Sequence, residues 1–395
     1  RNISYLGNLT YSDFGNLKTG SIRPDAHPDF GKRLEYIVRI DGEDSIVRNS
    51  NENLQKFSAY KQINTLQKLS FRIKDHIELG YTFNYSTTSD IPRYDRLIEY
   101  DGETLKNAEW YYGPQSWMMN AIQLKYFRAN KLFDQVKVIA AFQRFEESRH
   151  DRKYRESLLR NRTEKVNVLS LNTDFEKVFD PYNQLFYGLE YTYNHVNSSA
   201  YSMNIETGTT ADISTRYPDG GSDVHSMALY TSYKRNFSDK AFLTTGFRYS
   251  FQSLNSEFDG NDFDYNKIEN RSSALNGNIG MVVKPNSSWN ISGMLSTGFR
   301  APNVDDISKV FDSEPGNVVV PNPDLMPEYS YNAEISVSKY FNDKFELSGT
   351  VFYSFLRQAM VRGDFLVNGK DSIIYDGVLS KVQAIVNTGR ANIYG

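Results

Sequence analysis

The chain has 395 residues, a formal net charge of -3, 39% apolar residues and no cysteine. Its mean hydropathy is -0.57, and no run approaches the roughly eighteen apolar residues of a membrane-spanning helix, so a helical membrane protein is excluded. The near-neutral charge leaves no nucleic-acid footprint and names no strongly acidic partner, and the absence of Cys removes disulfides and thiolate metal sites.

Aromatic residues are the outlier, at 14%, with 28 Tyr and 25 Phe. A soluble domain seldom needs so many amphipathic rings, whereas both interfaces of a membrane barrel do. A chain without Cys also suits a cell-envelope protein that crosses an oxidising periplasm unpaired.

In chain order, Arg1-Asn2-Ile3 already reads as strand and no secretory leader precedes it, so the expectation is a processed or truncated product. In the stretch Gly15 to Asn53, Tyr36–Ile40 and Ser45–Val47 flank Asp41-Gly42, a pattern that predicts a hairpin inside a long loop. From Ile77 the apolar set Ile77, Leu79, Tyr81, Phe83 and Tyr85 alternates with polar or small residues. The same period of two returns at Leu185, Tyr187, Leu189, Tyr191 and Tyr193, at Leu243, Thr245, Phe247 and Tyr249, and from Phe345 to Phe355. A soluble sandwich would also alternate, so spacing has to decide.

Short polar turns sit at Lys74-Asp75, Asn130-Lys131, Asp180-Pro181, Ser238-Asp239, Pro285-Asn286 and Asn342-Asp343, and long irregular stretches alternate with them. Short turns on one side and long loops on the other predict an outer-membrane barrel, periplasmic at the short turns and extracellular at the long loops. Phe133, Phe179, Phe237, Trp289 and Phe341 fall beside the short turns as a lower girdle, with Tyr85, Tyr193, Tyr249 and Phe299 as an upper one. About fourteen strands follow, each near the roughly 9–11 residues of a tilted spanning strand. The fold class is all-β, an antiparallel transmembrane β-barrel.

Two boxes then carry a family resemblance. Ser296-Thr297-Gly298-Phe299-Arg300-Ala301-Pro302 is followed by Pro321-Asn322-Pro323-Asp324-Leu325-Met326-Pro327-Glu328. In this order and spacing they resemble the FRAP and NPDL-PE boxes of TonB-dependent outer-membrane receptors. Stretches at Ser89–Leu97, Ala108–Gln115, Glu147–Arg149 and Thr215–Ser222 resemble the haemoglobin/haem branch of that family. The resemblance implies a barrel of 22 strands, of which this chain carries about fourteen as residues 1–395, with long extracellular loops. It also implies an N-terminal plug, an energy-coupling box and further C-terminal strands, none of which is present in this sequence. A complete fourteen-stranded fatty-acid-type barrel is the rival architecture, and it leaves the paired boxes unexplained.

The implied function is TonB-dependent active uptake of a scarce nutrient, an iron complex first of all, with haem or a ferric siderophore as cargo and no resident cofactor. Oligosaccharide, cobalamin or peptide uptake is the alternative; a passive porin, an adhesin or an outer-membrane enzyme is the second. No nucleophile elbow, zinc-binding helix or phosphate loop speaks for catalysis. The implied partners are outer-membrane lipid, the TonB–ExbB–ExbD energy-coupling complex acting through the plug, the small-molecule cargo and a surface lipoprotein, with no nucleic acid.

Strand parity places Phe299 outward and Arg300 inward, opposite Glu328 or Glu334, as an ion pair stiffening the mouth. Pro302 and Pro323 are expected to end their strands and fix the loop between them. Trp110, Tyr111 and Tyr112, with Trp117 nearby, could stack on a porphyrin, catecholate or sugar ring, or form an interface girdle. Arg93, Arg96, Arg149 and Arg152 could capture substrate carboxylates or lipid phosphates. Haem receptors of this family usually carry an iron-ligating His between the two boxes, and none lies between Pro302 and Pro321. Of the other His, His27 and His150 are the candidate axial ligands, ahead of His195 and His225, while His76 sits by a short turn. Asp259, Asp262 and Asp264 read as a polar loop tip without calcium-loop spacing.

Overall fold

The computed structural model describes residues 2–259, 266–314, 316–341, 344–375 and 378–395. Arg1, Asp262, Asp264 and the Asn342-Asp343 turn lie outside them.

One antiparallel sheet of 17 strands dominates. Three of these, Ile91–Pro92, Asn107–Tyr112 and Thr210–Asp212, are annexes in the long loops. The other fourteen form the wall, each laddered to the next in sequence. They are β1 (Ile3–Phe14), β2 (Tyr60–Lys74), β3 (Ile77–Thr88), β4 (Ser116–Tyr126), β5 (Gln135–Lys153), β6 (Leu158–Asp180) and β7 (Asn183–Asn204), then β8 (Ser222–Ser238), β9 (Ala241–Glu257), β10 (Lys267–Val283), β11 (Trp289–Arg300), β12 (Glu328–Phe341), β13 (Phe345–Arg357) and β14 (Arg390–Tyr394). The count expected from the turns is the count observed. Among the described residues β1 is laddered only to β2, and β14 only to β13, so the barrel is partly open.

The registers show why alternation is the governing signal. Residues directly opposite across a ladder share a face. Following them from β1 to β10 gives the row Ile3, Phe71, Leu79, Leu124, Val138, Thr173, Leu189, Leu229, Tyr249, Leu275. One residue along, the row is Ser4, Ser70, Gly80, Gln123, Ile139, Asn172, Glu190, Ala228, Ser250, Ala274. The first is apolar with a single Thr and is mostly exposed: Leu229 is 62% and Leu275 68% accessible. A bare apolar belt backed by a polar face is what lipid outside and a polar lumen inside require. On the polar face Arg248 pairs with Glu190, and the Tyr230 hydroxyl donates to Asp174 across Gly188, where any side chain would collide with Tyr230.

Short turns close one end. Asp180 accepts the Tyr182 N–H at 2.8 Å, and Asn130 accepts those of Leu132 at 2.7 Å and Phe133 at 3.0 Å. These are Asx turns, the local chemistry that makes such residues turn formers. At the other end β6 and β7 run well beyond the belt, and the loops are themselves folded. The hairpin Glu35–Ile40/Glu43–Arg48 turns at Asp41 and Gly42, both at positive φ (49° and 83°).

Segments between the boxes and beyond β13 form a second unit that the sequence did not suggest. Phe311–Glu314, Asn317–Val319, Met360–Asp364, Ser372–Tyr375 and Val378–Asn387 form a separate five-stranded sheet, with Val318 and Val382 opposed in a parallel pair. Val310, Val318, Val320, Val367, Tyr375, Val382 and Ala384 are buried in it. A neighbouring cluster joins Val304, Ile307 and Leu325 of the box loop to Val224, Leu254 and Ile268 on the lumen-facing strand tops. The apolar cores thus sit in the loop layer, because the wall turns its apolar side chains outward.

Among the described residues no helix is long and apolar enough to cross a membrane.

Candidate functional site

The first box ends β11 and turns the chain back over the lumen. Arg300 meets Glu328 at 3.4 Å across its ladder; Glu334 lies farther down β12, opposite Met294. Its shorter contacts are to Asp306, at 2.7 and 2.8 Å. Asp306 also accepts the Asn303 N–H while Asn303 accepts that of Asp306, a capping box that starts the helical turn Val304–Ile307. The Asn-x-x-Asp spacing at 303–306 was the readable sign of that turn.

The second box is a knot of backbone contacts. Asn322 takes the Ile307 carbonyl with its N–H (3.0 Å), the Ile385 carbonyl with Nδ2 (2.8 Å) and the Asp324 N–H with Oδ1 (3.1 Å). Asn270 of β10 donates to the carbonyls of Pro323 and Leu325, and Leu325 is 2% exposed. Gln252 of β9 reaches the Pro302 carbonyl at 2.7 Å, fixing the end of the Phe299-Arg300-Ala301-Pro302 segment. Phe299 lies on the belt side against Tyr329, with ring centroids 5.7 Å apart. The boxes therefore seam loop to wall.

The aromatic cluster is divided by strand parity. Trp110 and Tyr112, in the annex Asn107–Tyr112, oppose Asp151 and Arg149 on the lumen-facing side of β5. Their rings meet edge-on at 5.4 Å. The Arg93 guanidinium lies 4.7 Å from the Trp110 ring and 5.7 Å from Tyr112, and Arg149 caps Tyr112 at 5.3 Å. Such cation–π contacts are worth about 0.5–1 kcal/mol at exposed sites. Trp117 shares the face and donates to Gln143. Tyr111 alternates to the opposite side, stacked on His150 at 4.6 Å and 15°. Burial, with Glu109 and Asp90 nearby, pushes its hydroxyl up to about 12.

Each arginine already holds a carboxylate: Arg93 with Asp95 (2.8 Å), Arg96 with Glu99 (2.6 Å), Arg149 with Glu147 (3.0 Å) and Arg152 with Asp44 (2.7 Å). The ladder continues as Arg149–Glu147, then Arg216, which lies 5.2 Å from the Tyr217 ring, and then the Tyr217 hydroxyl donating to Asp305 of the box loop at 2.8 Å. One connected strip thus runs along the lumen-facing mouth from Trp110 to the loop between the boxes. At its centre Glu164 is 3% exposed, with neither carboxylate oxygen hydrogen-bonded. Burial raises its pKa against the pull of Arg216 and Arg149. Sequence reasoning missed Arg216, Glu164 and Asp306, because alternation reports face and not depth.

The histidines are dispersed. His27 is exposed in a turn where its N–H bonds the Pro24 carbonyl. His150 has both ring nitrogens engaged, by Asn161 at 2.6 Å and Ser148 at 2.9 Å. His195 contacts Asp223, His225 contacts Tyr191, and His76 packs edge-on against Tyr126. Among the described residues no group of three His, Cys, Asp or Glu is placed to hold a metal ion.

Solved structures share this wall. The hemophore receptor HasR of Serratia marcescens, in complex with its hemophore HasA and heme, aligns over 100% of this chain and 56% of its own, at 11% identity and TM-score 0.70. The FrpB iron transporter of Neisseria meningitidis aligns over 100% and 54% at 14% identity and TM-score 0.66. The copper transporter OprC aligns over 100% and 53% at 10% identity and TM-score 0.66. These likenesses establish the fold, and the chain spans little more than half the length of each. No curated protein sequence is significantly similar to it. The model for the TonB dependent receptor-like β-barrel matches residues 4–395, and the chain belongs to that family.

Proposed function

We propose that the protein is an outer-membrane receptor that captures an iron complex at its extracellular mouth and passes it inward by TonB coupling. The observation that carries this reading is the strip of aromatic and arginine side chains on the lumen-facing strand tops, joined side chain to side chain with the box loop. Cargo resting on Trp110 and Tyr112 would sit beside residues linked through Tyr217 to Asp305, the neighbour of Asp306 in the box loop, so binding at one end of the strip bears on the loop at the other.

The chemistry favours a flat, conjugated cargo. Trp110 and Tyr112 offer ring faces, and Arg93 and Arg149, with their charge balanced by Asp95 and Glu147, offer planar guanidinium surfaces rather than free charge. A haem or a catecholate siderophore meets those terms, with haem the first choice; a peptide or cobalamin meets them less well. Sugar rings also stack on such faces, which keeps an oligosaccharide as the second reading. His150 would have to give up Asn161 and Ser148 to reach iron, so the axial ligand is assigned to His27 or to a residue of the plug. Energy would come from the TonB–ExbB–ExbD complex acting on that plug, and a surface lipoprotein could deliver the cargo. In this reading the wall and outer loops serve binding and gating rather than catalysis.

Mixing full-length protein with haem and recording the Soret band tests the cargo. A shifted band that weakens in Trp110→Ala and survives in Tyr111→Ala supports the lumen-facing strip. A spectrum identical to free haem moves the assignment to a siderophore or a glycan.

A further inference from the structure

Most neighbouring strands of the wall stay laddered over their shared height, but β10 and β11 part early. Their ladder runs only from Asn278 opposite Ser296 down to Val283 opposite Ile291. Above it β10 continues along β9 up to Lys267, and β11 continues along β12 up to Arg300. A side chain bridges the start of the gap: Thr297 Oγ1 accepts the Gly277 N–H at 2.9 Å and donates to the Gly277 carbonyl at 3.4 Å. Thr297 is on the belt side, so this bridge satisfies both groups where no water is available.

On the same side, over this join, lies a groove of about 580 Å³. Gly277, Thr297 and Ala333 form its floor, with Phe247 on one bank and Tyr331 and Phe355 on the other. The registers explain the depression. Phe247, Gly277, Thr297, Tyr331 and Phe355 belong to one transverse row whose middle members are small. The row above carries Tyr249 and Leu275, and the row containing Leu243 and Met281 lies below. The volume falls within the roughly 300–1,000 Å³ of small-molecule sites.

We propose that this groove binds one acyl chain of an outer-membrane lipid. It opens within the apolar belt, where hydrocarbon is the surrounding medium, and the polar bridge in its floor is already bonded. A methylene chain can lie lengthwise between the aromatic banks, over Gly277, Thr297 and Ala333. The inference rests on the membrane assignment of the belt and is independent of the cargo.

The test uses full-length protein in vesicles of phospholipid carrying a diazirine midway along one acyl chain, with photolabelled peptides mapped by mass spectrometry. Label should concentrate on peptides bearing Ile279, Leu295 and Tyr331, several-fold above peptides bearing Leu171, Leu189 and Leu229 elsewhere in the belt. Ala333→Phe fills the floor without removing a ladder hydrogen bond and should lower that excess to the belt level. Even labelling around the belt would overturn the proposal, as would cross-links through these residues to a second copy. Absence of label from the whole belt would instead sink the membrane assignment. Should Ala333→Phe fail to assemble, the wild-type distribution alone decides.

Discussion

Replacing Arg152 by Met tests how the first long loop is fastened to the wall. Arg152 is 2% exposed, and its guanidinium holds Asp44 through two bonds of 2.7 and 2.9 Å, Glu109 at 2.7 Å and the Glu156 carbonyl at 2.9 Å. Asp44 sits in the hairpin Glu43–Arg48 with its side chain 1% exposed. Removing one partner of a buried pair costs about 3–5 kcal/mol, because the other charge stays buried. At about 1.4 kcal/mol per factor of ten, hairpin opening should rise roughly a hundred- to several-thousand-fold. Peptide-resolved hydrogen exchange reads this directly. Amides of Tyr36–Ile40 should lose protection while those of β6 and β7 keep theirs. Burial disfavours the Asp44 charge, but bonds from Arg152 and the Arg155 N–H, with the field of Arg39, outweigh it and hold the carboxyl below its usual range. Its stabilising contribution is therefore present above the unfolded-state pKa and lost as pH falls through the depressed folded value. Wild-type protection should fall in acid, and that acid step should vanish in Arg152→Met combined with Asp44→Asn. An Arg152→Met hairpin exchanging within a factor of about ten of wild type would refute the reasoning.

Other outcomes follow from the same geometry. Glu164 is shifted the opposite way: its folded pKa lies above the unfolded one, so the folded state binds the extra proton and stability declines as pH rises through that interval. Glu164→Gln should raise the melting temperature at neutral pH and flatten that decline; an unchanged or lower melting temperature argues against it. Val351, 71% exposed on the belt, should tolerate Lys poorly, by about 2–4 kcal/mol near mid-membrane, whereas Thr350→Lys on the other face should assemble normally. Equal assembly yields would undo the face assignment. Arg300→Ala removes a part-exposed pair worth about 1 kcal/mol or less, so the barrel should fold while protease sensitivity rises in the box loop.

The wall was legible because a strand between two unlike media must alternate, and the turns announced themselves through Asx chemistry at Asn130 and Asp180. Asp41-Gly42 marked its hairpin for the same local reason. The loop layer was not legible. Its parallel pair joins Val318 to Val382, far apart in sequence and in strands too short to show a period. Grouping Trp110, Tyr111 and Tyr112 as one cluster overlooked that consecutive strand residues face opposite ways, which sends Tyr111 to His150. The ion pair at Arg300 was readable from parity, but its stronger partner, Asp306, comes from a helical turn that alternation does not register.

Energised uptake through this receptor is most directly measured as iron accumulation in cells whose only receptor for the complex is the full-length protein. Cells given haem carrying radioactive iron, and in parallel a ferric catecholate, are assayed with and without a protonophore that collapses the inner-membrane gradient. Internal label from at least one complex is expected, abolished by the protonophore, while surface binding persists. Accumulation that is indifferent to the gradient, or no binding of either complex, would contradict energised uptake.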